Sequence, residues 1–157
     1  MSKEAPVAEG RIHEFVTKSG ADTVEVGRKL VSLLAPPQLL ILRGDLGTGK
    51  TTLVKGIAQA LDAAEPDEVT SPTFTLLHEY DGLREGKPVK LFHLDVYRLE
   101  GERQLETLGL DELQTPDALV LVEWGEKFKS IRKKATGEIS ITSAGGDARK
   151  IAVTLKE

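Results

Sequence analysis

The chain has 157 residues and a formal net charge of −4, with 29% charged and 39% hydrophobic side chains. These values are typical of one globular domain with its own core, and they argue against a large electrostatic footprint on nucleic acid. Cysteine is absent, which excludes disulfides, thiolate metal sites and thiol catalysis. The first residues lack the apolar segment of a signal peptide and no apolar run reaches membrane-spanning length, so we expect a cytoplasmic protein without membrane contact.

The first third of the chain predicts a tail, a strand and a capped helix. Residues 1–10 have the composition of a flexible tail and residues 12–18 that of a strand, so we expect a single domain over residues 11–157. Ser19 and Asp22 have the spacing of a capping box, whose side chains satisfy the free amides at a helix start. The helix is expected to end near residue 34, because two prolines follow it.

Residues 44–51 form the most informative motif of the chain. Their sequence, Gly-Asp-Leu-Gly-Thr-Gly-Lys-Thr, fits the pattern G-x-x-x-x-G-K-[ST] of a phosphate-binding loop. The glycines permit backbone angles that turn successive amides inward around an anion. Lys50 is expected to contact the β- and γ-phosphates, and the Thr51 hydroxyl to hold Mg²⁺.

The segments around the loop match the context that this motif needs. Residues 38–43 form a short apolar run that predicts a buried parallel strand. After the loop, apolar side chains recur at helical spacing up to about Leu61. The order of strand, glycine loop and helix therefore favours a nucleotide-binding loop over a chance glycine turn.

The remainder of the chain alternates between predicted strands and helices. Residues 73–80 and 89–95 are strand-like, and the connector 81–88 is long enough for an antiparallel hairpin but too short for a helical crossover. The later predicted elements are a helical stretch from Leu105 to Leu113, a buried strand at 118–122, and a closing hairpin from 138–142 and 150–155. This alternation predicts an α/β fold, a three-layer P-loop NTPase sandwich with a mainly parallel sheet and an antiparallel hairpin.

Two predicted strands end in a carboxylate, Asp95 and Glu123. Ligands of open α/β sheets bind at the carboxyl ends of the strands, and a P-loop NTPase needs an acid there for Mg²⁺ and a group that positions water. The spacing alone does not say which acid holds the metal. Either could instead be a strand-ending residue on a solvated edge.

A third candidate element is the segment from Thr70 to Thr73, which follows the helix after the loop. Its hydroxyl groups could reach the γ-phosphate or Mg²⁺ and become ordered on nucleotide binding, as switch loops do. An ordinary turn built by Ser71 and Pro72 is the alternative.

Four blocks of the sequence, taken together, resemble the TsaE (YjeE) family of small bacterial ATPases. They are the loop at residues 44–52, Ser-Pro-Thr-Phe-Thr at 71–75, His-Leu-Asp-Val-Tyr-Arg-Leu at 93–99 and Val-Glu-Trp at 122–124. The loop is shared by many families, whereas the other three blocks in this order are specific. Thr48 departs from the alanine that is usual in the family, and its small side chain leaves the phosphate cradle intact.

The resemblance implies roles for individual residues. Thr51 and Glu123 would be the Mg²⁺ ligands, and Asp95 the acid near the γ-phosphate that orients water. Thr73 would belong to a switch-like segment, and with Lys50 and Asp95 it completes the expected catalytic set.

The resemblance also implies a set of nucleotide contacts. Trp124 and Arg149 would lie beside the ATP, and residues 19–23 on its adenine side. The loop residues expected to bind ATP are Asp45, Leu46, Gly47, Thr48, Gly49, Lys50, Thr51 and Thr52.

The function implied by the resemblance is ATP hydrolysis that supports threonylcarbamoyladenosine modification of tRNA. The expected partners are TsaD, which transfers the threonylcarbamoyl group, and TsaB, which scaffolds it. Hydrolysis would reset that complex, and tRNA would be contacted only indirectly. A small-molecule P-loop kinase and an ATP-responsive binding module without essential hydrolysis are the alternatives.

Two further groups of residues have plain structural interpretations. His13, His78 and His93 lack metal-ligand spacing, so structural or surface roles are expected. A basic cluster at residues 127–134 is expected to form a solvated helix face, with contact to a partner protein or tRNA as the alternative.

Overall fold

The centre of the molecule is a mixed sheet, seen in a computed structural model that describes residues 10–45, 49–73 and 75–156. Within these residues the sheet has seven strands in the order β1-β7-β6-β2-β5-β4-β3. The strands are β1 Gly10–Thr17, β2 Gln38–Arg43, β3 Leu77–Arg84, β4 Lys87–Asp95, β5 Ala118–Glu123, β6 Gly137–Ser143 and β7 Arg149–Lys156.

Helices connect and cover these strands. They are α1 Gly20–Leu30, α2 Lys50–Ala60, α3 Glu102–Leu108, α4 Leu110–Leu113 and α5 Lys129–Lys134, with short 3₁₀ turns at Val31–Leu33, Pro66–Glu68 and Gly125–Lys127. No helix in the described part of the chain has both the length and the apolar composition to cross a membrane.

The middle of the sheet is parallel and its flanks are antiparallel. Strand β2 pairs in parallel with β5 and β6, and β4 pairs in parallel with β5. Strand β3 pairs antiparallel with β4, β7 with β6, and β1 with β7. The carboxyl ends of β2, β4 and β5 therefore meet at one edge, where Asp95 lies opposite Glu123 in register. This arrangement confirms the mixed α/β fold with a largely parallel centre.

Each face of the sheet buries its own hydrophobic core. Leu40 and Leu42 of β2 pack with α1 and α2, whereas the alternating Leu39 and Ile41 pack with α3, α4 and α5. Because side chains alternate along a strand, a fully buried strand must be apolar at every position. The central β2 and β5 are apolar at their inner positions, with Glu123 at the end of β5 as a buried exception, which explains why both were predicted at nearly the observed bounds.

Helices α1 and α2 pack backbone against backbone through two glycines. A Cβ placed on Gly27 would lie 2.3 Å from the carbonyl oxygen of Leu53, and one on Gly56 would lie 1.9 Å from that of Val24. No larger residue fits at either position without moving the helices. Because α1 and α2 approach each other so closely, the start of α2, with Lys50, lies over the carboxyl edge of the sheet.

The start of the chain follows the predicted pattern with shifted bounds. The strand begins at Gly10, two residues before the predicted start, because Gly10 pairs with Lys156 of β7. The predicted tail otherwise falls on residues outside the described part, and the single domain over residues 11–157 stays a prediction. Helix α1 is capped as expected, since Ser19 Oγ accepts a hydrogen bond from the Asp22 amide and Asp22 Oδ2 accepts one from the Lys18 amide.

The predicted hairpin of residues 73–95 forms and ends at Asp95 as expected, but the predicted bounds of the connector and of the start of β3 were wrong. The strands continue through the predicted connector to leave a two-residue turn, Glu85-Gly86, in which both residues have positive φ. Such turns match the right-handed twist of hairpin strands. At the other end, β3 begins at Leu77 and not at Thr73. The Leu76 amide donates to the Pro72 carbonyl across 2.7 Å, so this segment turns before the strand starts.

Candidate functional site

A cavity of about 670 Å³ opens at the carboxyl edge of the parallel strands. Its walls come from the starts of α1 and α2, the segment before β3, the ends of β4 and β5, and the hairpin between β6 and β7. The cavity brings together nine of the predicted site residues, namely Gly49, Lys50, Thr51, Thr52, Thr73, Asp95, Glu123, Trp124 and Arg149.

The other predicted site residues lie elsewhere. Leu46, Gly47 and Thr48 are outside the described residues, and their contact with nucleotide stays a prediction. Asp45 lines a second cavity of about 600 Å³, which borders the first at Trp124. Asp45 is therefore not among the residues that line the first cavity, and its contact with nucleotide stays a prediction.

Lys50 is positioned by the start of α2. The preceding Gly49 has φ of 106°, in the left-handed region that glycine enters without strain, and its carbonyl accepts the Leu53 amide at 2.9 Å. The Lys50 side chain is only 8% exposed. Its Nζ lies 3.4 Å from Glu123 Oε1 and 5.0 Å from the centroid of the Trp124 ring. The ammonium is thus held between a carboxylate and an aromatic face.

Glu123 ends β5 and has a partner on each carboxylate oxygen. Oε1 faces Lys50, and Oε2 lies 2.6 Å from Nε2 of His93. Burial raises the pKa of this carboxyl, but the hydrogen bond with His93, together with Lys50, outweighs burial and holds the pKa below its ordinary value. Glu123 is therefore a buried anion in a positive surrounding.

Asp95 lies beside Glu123 at the end of β4 and is connected to the segment before β3. Its Oδ1 accepts the Tyr97 amide at 2.9 Å, and its Oδ2 accepts the Thr73 hydroxyl at 3.3 Å. The Ser71 hydroxyl lies 2.7 Å from that of Thr73. A chain of hydroxyl groups therefore leads from the turn to the acid.

The turn before β3 combines both interpretations that the sequence allowed. It is a compact turn, yet it also directs the Thr73 hydroxyl at Asp95. His78 of β3 contacts both flanks, with Nδ1 3.2 Å from the Thr70 carbonyl oxygen and Nε2 2.8 Å from Thr75 Oγ1. The side chain of His78 thereby fixes the two ends of the turn.

Trp124 separates the two cavities and has an unusual backbone conformation. Its φ is 65°, a left-handed value that is uncommon for a bulky residue. The indole ring packs against Tyr97 with centroids 4.8 Å apart. Lys127 Nζ lies 5.1 Å from the Tyr97 ring and donates to the Tyr97 carbonyl oxygen at 2.5 Å. A strained backbone that its surroundings maintain is typical of functional sites.

Several members of the predicted basic cluster support the fold. Besides Lys127, Arg132 donates to the Glu126 carbonyl oxygen at 2.5 Å, and Lys134 pairs with Asp111. These contacts give part of the cluster an intramolecular role that the sequence pattern did not reveal. Its contact with a partner protein or tRNA stays a prediction.

Arg149 lies at the start of β7, near the end of the glycine loop. Its guanidinium donates to the carbonyl oxygens of Gly146 and Ala148 at 2.7 and 2.8 Å. Its Nε is 4.0 Å from the position that a Cβ on Gly49 would occupy. The sequence did not show how near the closing hairpin lies to the glycine loop. The structure has Arg149 of this hairpin beside the start of α2.

The family model for "Threonylcarbamoyl adenosine biosynthesis protein TsaE" matches residues 17–151, most of the chain. The chain belongs to the TsaE family. The family takes part in the biosynthesis of threonylcarbamoyladenosine in tRNA, so the predicted family is confirmed.

Individual relatives agree with this assignment. The TsaE protein of Bacillus subtilis is 38% identical over 139 residues, which cover 88% of this chain and 82% of the relative. The TsaE protein of Treponema pallidum is 36% identical over 88% of this chain and 97% of its own length. The crystal structure of Bacillus subtilis YdiB superposes with a TM-score of 0.66 and 30% identity, covering 94% of this chain and 87% of that one.

The donor groups in the cavity of this TsaE-family chain are compatible with Mg²⁺. Thr51 and Glu123 offer oxygen atoms, which Mg²⁺ prefers over nitrogen or sulfur. Among the described residues there is no cluster of three or more acidic, histidine or cysteine side chains suited to a metal. Mg²⁺ at nucleotide sites is bound by one or two carboxylates together with phosphate oxygens and water, so such a cluster is not required.

His93 is the site residue that sequence reasoning missed. It was expected to have a structural or surface role, and its fully buried imidazole agrees with the structural one, but the contact with Glu123 was not foreseen. One feature of the sequence could have indicated this position. His93 comes two residues before Asp95, and alternate residues of a strand lie on the same face of the sheet. A polar side chain within the apolar run of β4 indicated a partner on a neighbouring strand, but not which one.

Proposed function

We propose that the chain is a Mg²⁺-dependent ATPase of the P-loop sandwich type, an accessory to the complex that makes threonylcarbamoyladenosine in tRNA. The observation that carries this proposal is the meeting of Lys50, Thr51, Asp95 and Glu123 in one cavity. These residues come from three separate elements, α2, β4 and β5. A cation, a hydroxyl and two carboxylates in this arrangement are the groups that phosphoryl transfer to water uses.

The nucleotide would bind along the start of α2. Residues 45–52 would surround its phosphates with backbone amides, and the helix start favours negative charge there. Arg149 lies beside the end of this loop, and Gly20 and Thr23 of α1 line the same cavity. We assign α1 to the adenine side and Trp124 to the wall near the phosphates.

The pair between Lys50 and Glu123 supports an exchange of partners on binding. The ammonium of Lys50 lies 3.4 Å from the buried carboxylate of Glu123. Phosphate oxygens of a bound nucleotide carry more charge and would attract Lys50 away from Glu123. Glu123 Oε1 would then become available as a Mg²⁺ ligand beside the Thr51 hydroxyl.

Asp95 and Thr73 would act on the attacking water. Asp95 is held by the Tyr97 amide through one oxygen, while the other accepts from the Thr73 hydroxyl. A water molecule bound to Asp95 could be oriented toward the γ-phosphate, where its oxygen bonds to phosphorus as the bond to ADP breaks. The products are ADP and inorganic phosphate.

The proposed partners are TsaD and TsaB, and the isolated chain would hydrolyse ATP slowly. The loop motif itself contains no arginine that could stabilise charge in the transition state. Supplying or ordering such a group accelerates phosphoryl transfer by orders of magnitude. A partner that orders the turn at 70–75, or contributes a cation, would therefore tie hydrolysis to docking and allow ATP to reset the complex.

Steady-state phosphate release tests the proposal, measured at saturating ATP and Mg²⁺ with and without a TsaB–TsaD pair. We expect a slow rate alone and a rate at least tenfold higher in the complex. Complex formation is verified in parallel by size-exclusion chromatography, so that a missing response is not mistaken for missing binding.

Three outcomes would contradict parts of the proposal. An absence of ATP binding in calorimetry would remove the nucleotide assignment. Equal rates with and without verified partners would remove the coupling. Transfer of phosphate to metabolites would favour the kinase alternative, and a complex that depends on ATP but functions equally with a non-hydrolysable analogue would favour the binding module.

A further inference from the structure

The imidazole of His93 is sealed inside the sheet, between the candidate metal ligand and the hydrophobic core. It lies on the face of β4 that packs toward α2, with no exposed surface. Its Nε2 is 2.6 Å from Glu123 Oε2, whereas its Nδ1 is buried without a hydrogen-bond partner among the described residues. The ring therefore makes a single polar contact, and that contact is with Glu123.

The two nitrogens differ in what they can carry. One hydrogen must lie between Nε2 and Oε2, because two heavy atoms 2.6 Å apart need a donor and an acceptor. A proton on Nδ1 as well would leave a charged, buried donor unpaired, which costs more than an unpaired lone pair. Neutral imidazole with its hydrogen on Nε2 is the arrangement that satisfies both atoms of the contact.

This contact restricts the carboxylate of Glu123 to one orientation. With Oε2 occupied by the imidazole, Oε1 must point toward the cavity, where it lies 3.4 Å from Lys50 Nζ. An isolated glutamate side chain would rotate about its last bond and present either oxygen. We propose that His93 is a positioning residue that holds Glu123 by an Nε2–H hydrogen bond and thereby presents Oε1 for Mg²⁺. This inference rests on the proposed function.

Variants of His93 can distinguish the loss of the hydrogen bond to Glu123 from the loss of side-chain packing. The amide nitrogen of glutamine can reach the position of Nε2, while that of asparagine corresponds to Nδ1, away from Glu123. Leucine keeps much of the volume and removes both ring nitrogens, including the donor. His93→Gln should therefore keep the function that His93→Asn and His93→Leu lose.

The first measurement uses the nucleotide-free protein and needs no activity. Long-range ¹H–¹⁵N NMR spectra of wild-type protein distinguish the two neutral tautomers and the doubly protonated ring. We expect the His93 resonances of the Nε2–H tautomer at neutral pH. The Nδ1–H tautomer would overturn the inference, because Nε2 could then not donate to Glu123.

The second measurement is the Mg²⁺ dependence of nucleotide affinity. Partners of metal ligands typically contribute about 10- to 100-fold in metal affinity, so His93→Leu and His93→Asn should need that much more Mg²⁺ to reach half-maximal tightening of ATP binding. His93→Gln should need less than about threefold more. Nucleotide affinity without Mg²⁺ should remain near the wild-type value in all three variants.

Leu121→Val is the matched control for loss of packing. Leu121 is fully buried and lies opposite His93 in register, without a polar group near Glu123. It should lower thermal stability and leave the Mg²⁺ dependence unchanged. An equal Mg²⁺ requirement in wild type, His93→Leu and His93→Asn would overturn the positioning role, whereas a wild type that binds no Mg²⁺-nucleotide would reject the proposed function itself. If His93→Leu fails to fold, the Mg²⁺ dependence of His93→Asn and the tautomer seen by NMR test the positioning role.

Discussion

Two glutamates three positions apart in sequence, Glu123 and Glu126, line different cavities, and their pKa values are shifted in opposite directions. Glu123 faces the first cavity and has His93 and Lys50 on its oxygens, so its pKa lies below the ordinary value despite burial. Glu126 faces the second cavity, and its Oε1 is buried without a hydrogen-bond partner among the described residues. Burial raises the pKa of Glu126, and Arg43 and Lys50 offset this only in part. Partners from other strands and helices therefore decide whether the pKa of a partly or fully buried glutamate is raised or lowered.

The surroundings of the two cavities explain the difference. The first lies where α1 and α2 cover the sheet and where the ends of β4 and β5 meet. The second lies against β1, β6 and β7, on a side where Ile12 and Val16 remain more than half exposed. A covered edge excludes water and strengthens electrostatic contacts. In the second cavity Glu126 Oε1 is also buried, but neither His93 nor Lys50 lies on its oxygens, so burial dominates its pKa.

The largest effect is expected from Lys50→Ala, which removes the ammonium group beside Glu123 in the first cavity. The charge of Glu123 and of the phosphates would lose its main compensation, so ATP binding should weaken and hydrolysis should fall by roughly 100-fold or more. The pKa of Glu123 should rise. Calorimetry and phosphate release measure these changes, with Lys29→Ala on the exposed side of α1 as a control that should match wild type. Wild-type binding and turnover in Lys50→Ala would refute the role of Lys50.

The two acids of the first cavity should respond differently from each other. Asp95→Asn should bind ATP with near wild-type affinity and hydrolyse it about 100-fold more slowly, because only orientation of the water is lost. Glu123→Gln should instead weaken the Mg²⁺-dependent part of binding. Glu126→Gln in the second cavity is the matched control and should leave the Mg²⁺ titration unchanged. Reversed effects of the Asp95 and Glu123 variants would mean that their roles are exchanged.

A smaller effect should follow from Gly56→Ala, which disturbs the helices behind the first cavity. The added methyl would meet the Val24 carbonyl oxygen, so we expect a loss of about 1–3 kcal/mol in the free energy of unfolding. Gly20→Ala, at the start of α1 with open space around a Cβ, should cost less or stabilise the helix. Urea denaturation of the nucleotide-free proteins distinguishes them. Equal stability of the two variants would contradict the glycine contact.

The smallest expected effect is a pH dependence of stability that has opposite signs at the two glutamates. The folded-state pKa of Glu126 is raised, so its contribution is most favourable below the unfolded pKa of about 4.3 and is lost as pH rises through the folded value. The folded-state pKa of Glu123 is lowered, so its contribution is present above about 4.3 and is lost as pH falls through the folded value.

Replacement by glutamine should therefore shift the two pH profiles in opposite directions. Relative to wild type, Glu126→Gln should gain stability as pH rises above about 4.3, whereas the stability deficit of Glu123→Gln should shrink as pH falls below about 4.3. Denaturant titrations at several pH values, without nucleotide, provide the test. Parallel profiles for both variants would show that the surroundings of the two acids do not differ as described.

The sequence by itself determined the elements whose signals are local. The apolar run at residues 38–43 predicted β2 with its observed bounds, and the alternation of strands and helices predicted a mixed α/β fold. The acids after two buried runs were found at the sheet edge, whereas the phosphate-binding role of the glycine-lysine pattern stays a prediction. The confirmed features could be predicted because burial and capping each require particular residue types at fixed spacing.

Only the tertiary structure decided which of these groups are neighbours. The sheet order places β5 between β2 and β4, and it thereby sets Asp95 beside Glu123 and gives Glu123 the imidazole of His93. The turn at Pro72, which replaces the predicted start of β3, brings the Thr73 hydroxyl to Asp95. A local pattern tells which face of an element is buried, but not which strand will lie against it. Strand order depends on the packing of the whole sheet with its helices, and it is this packing that creates the paired and unpaired carboxylates on either side of Trp124.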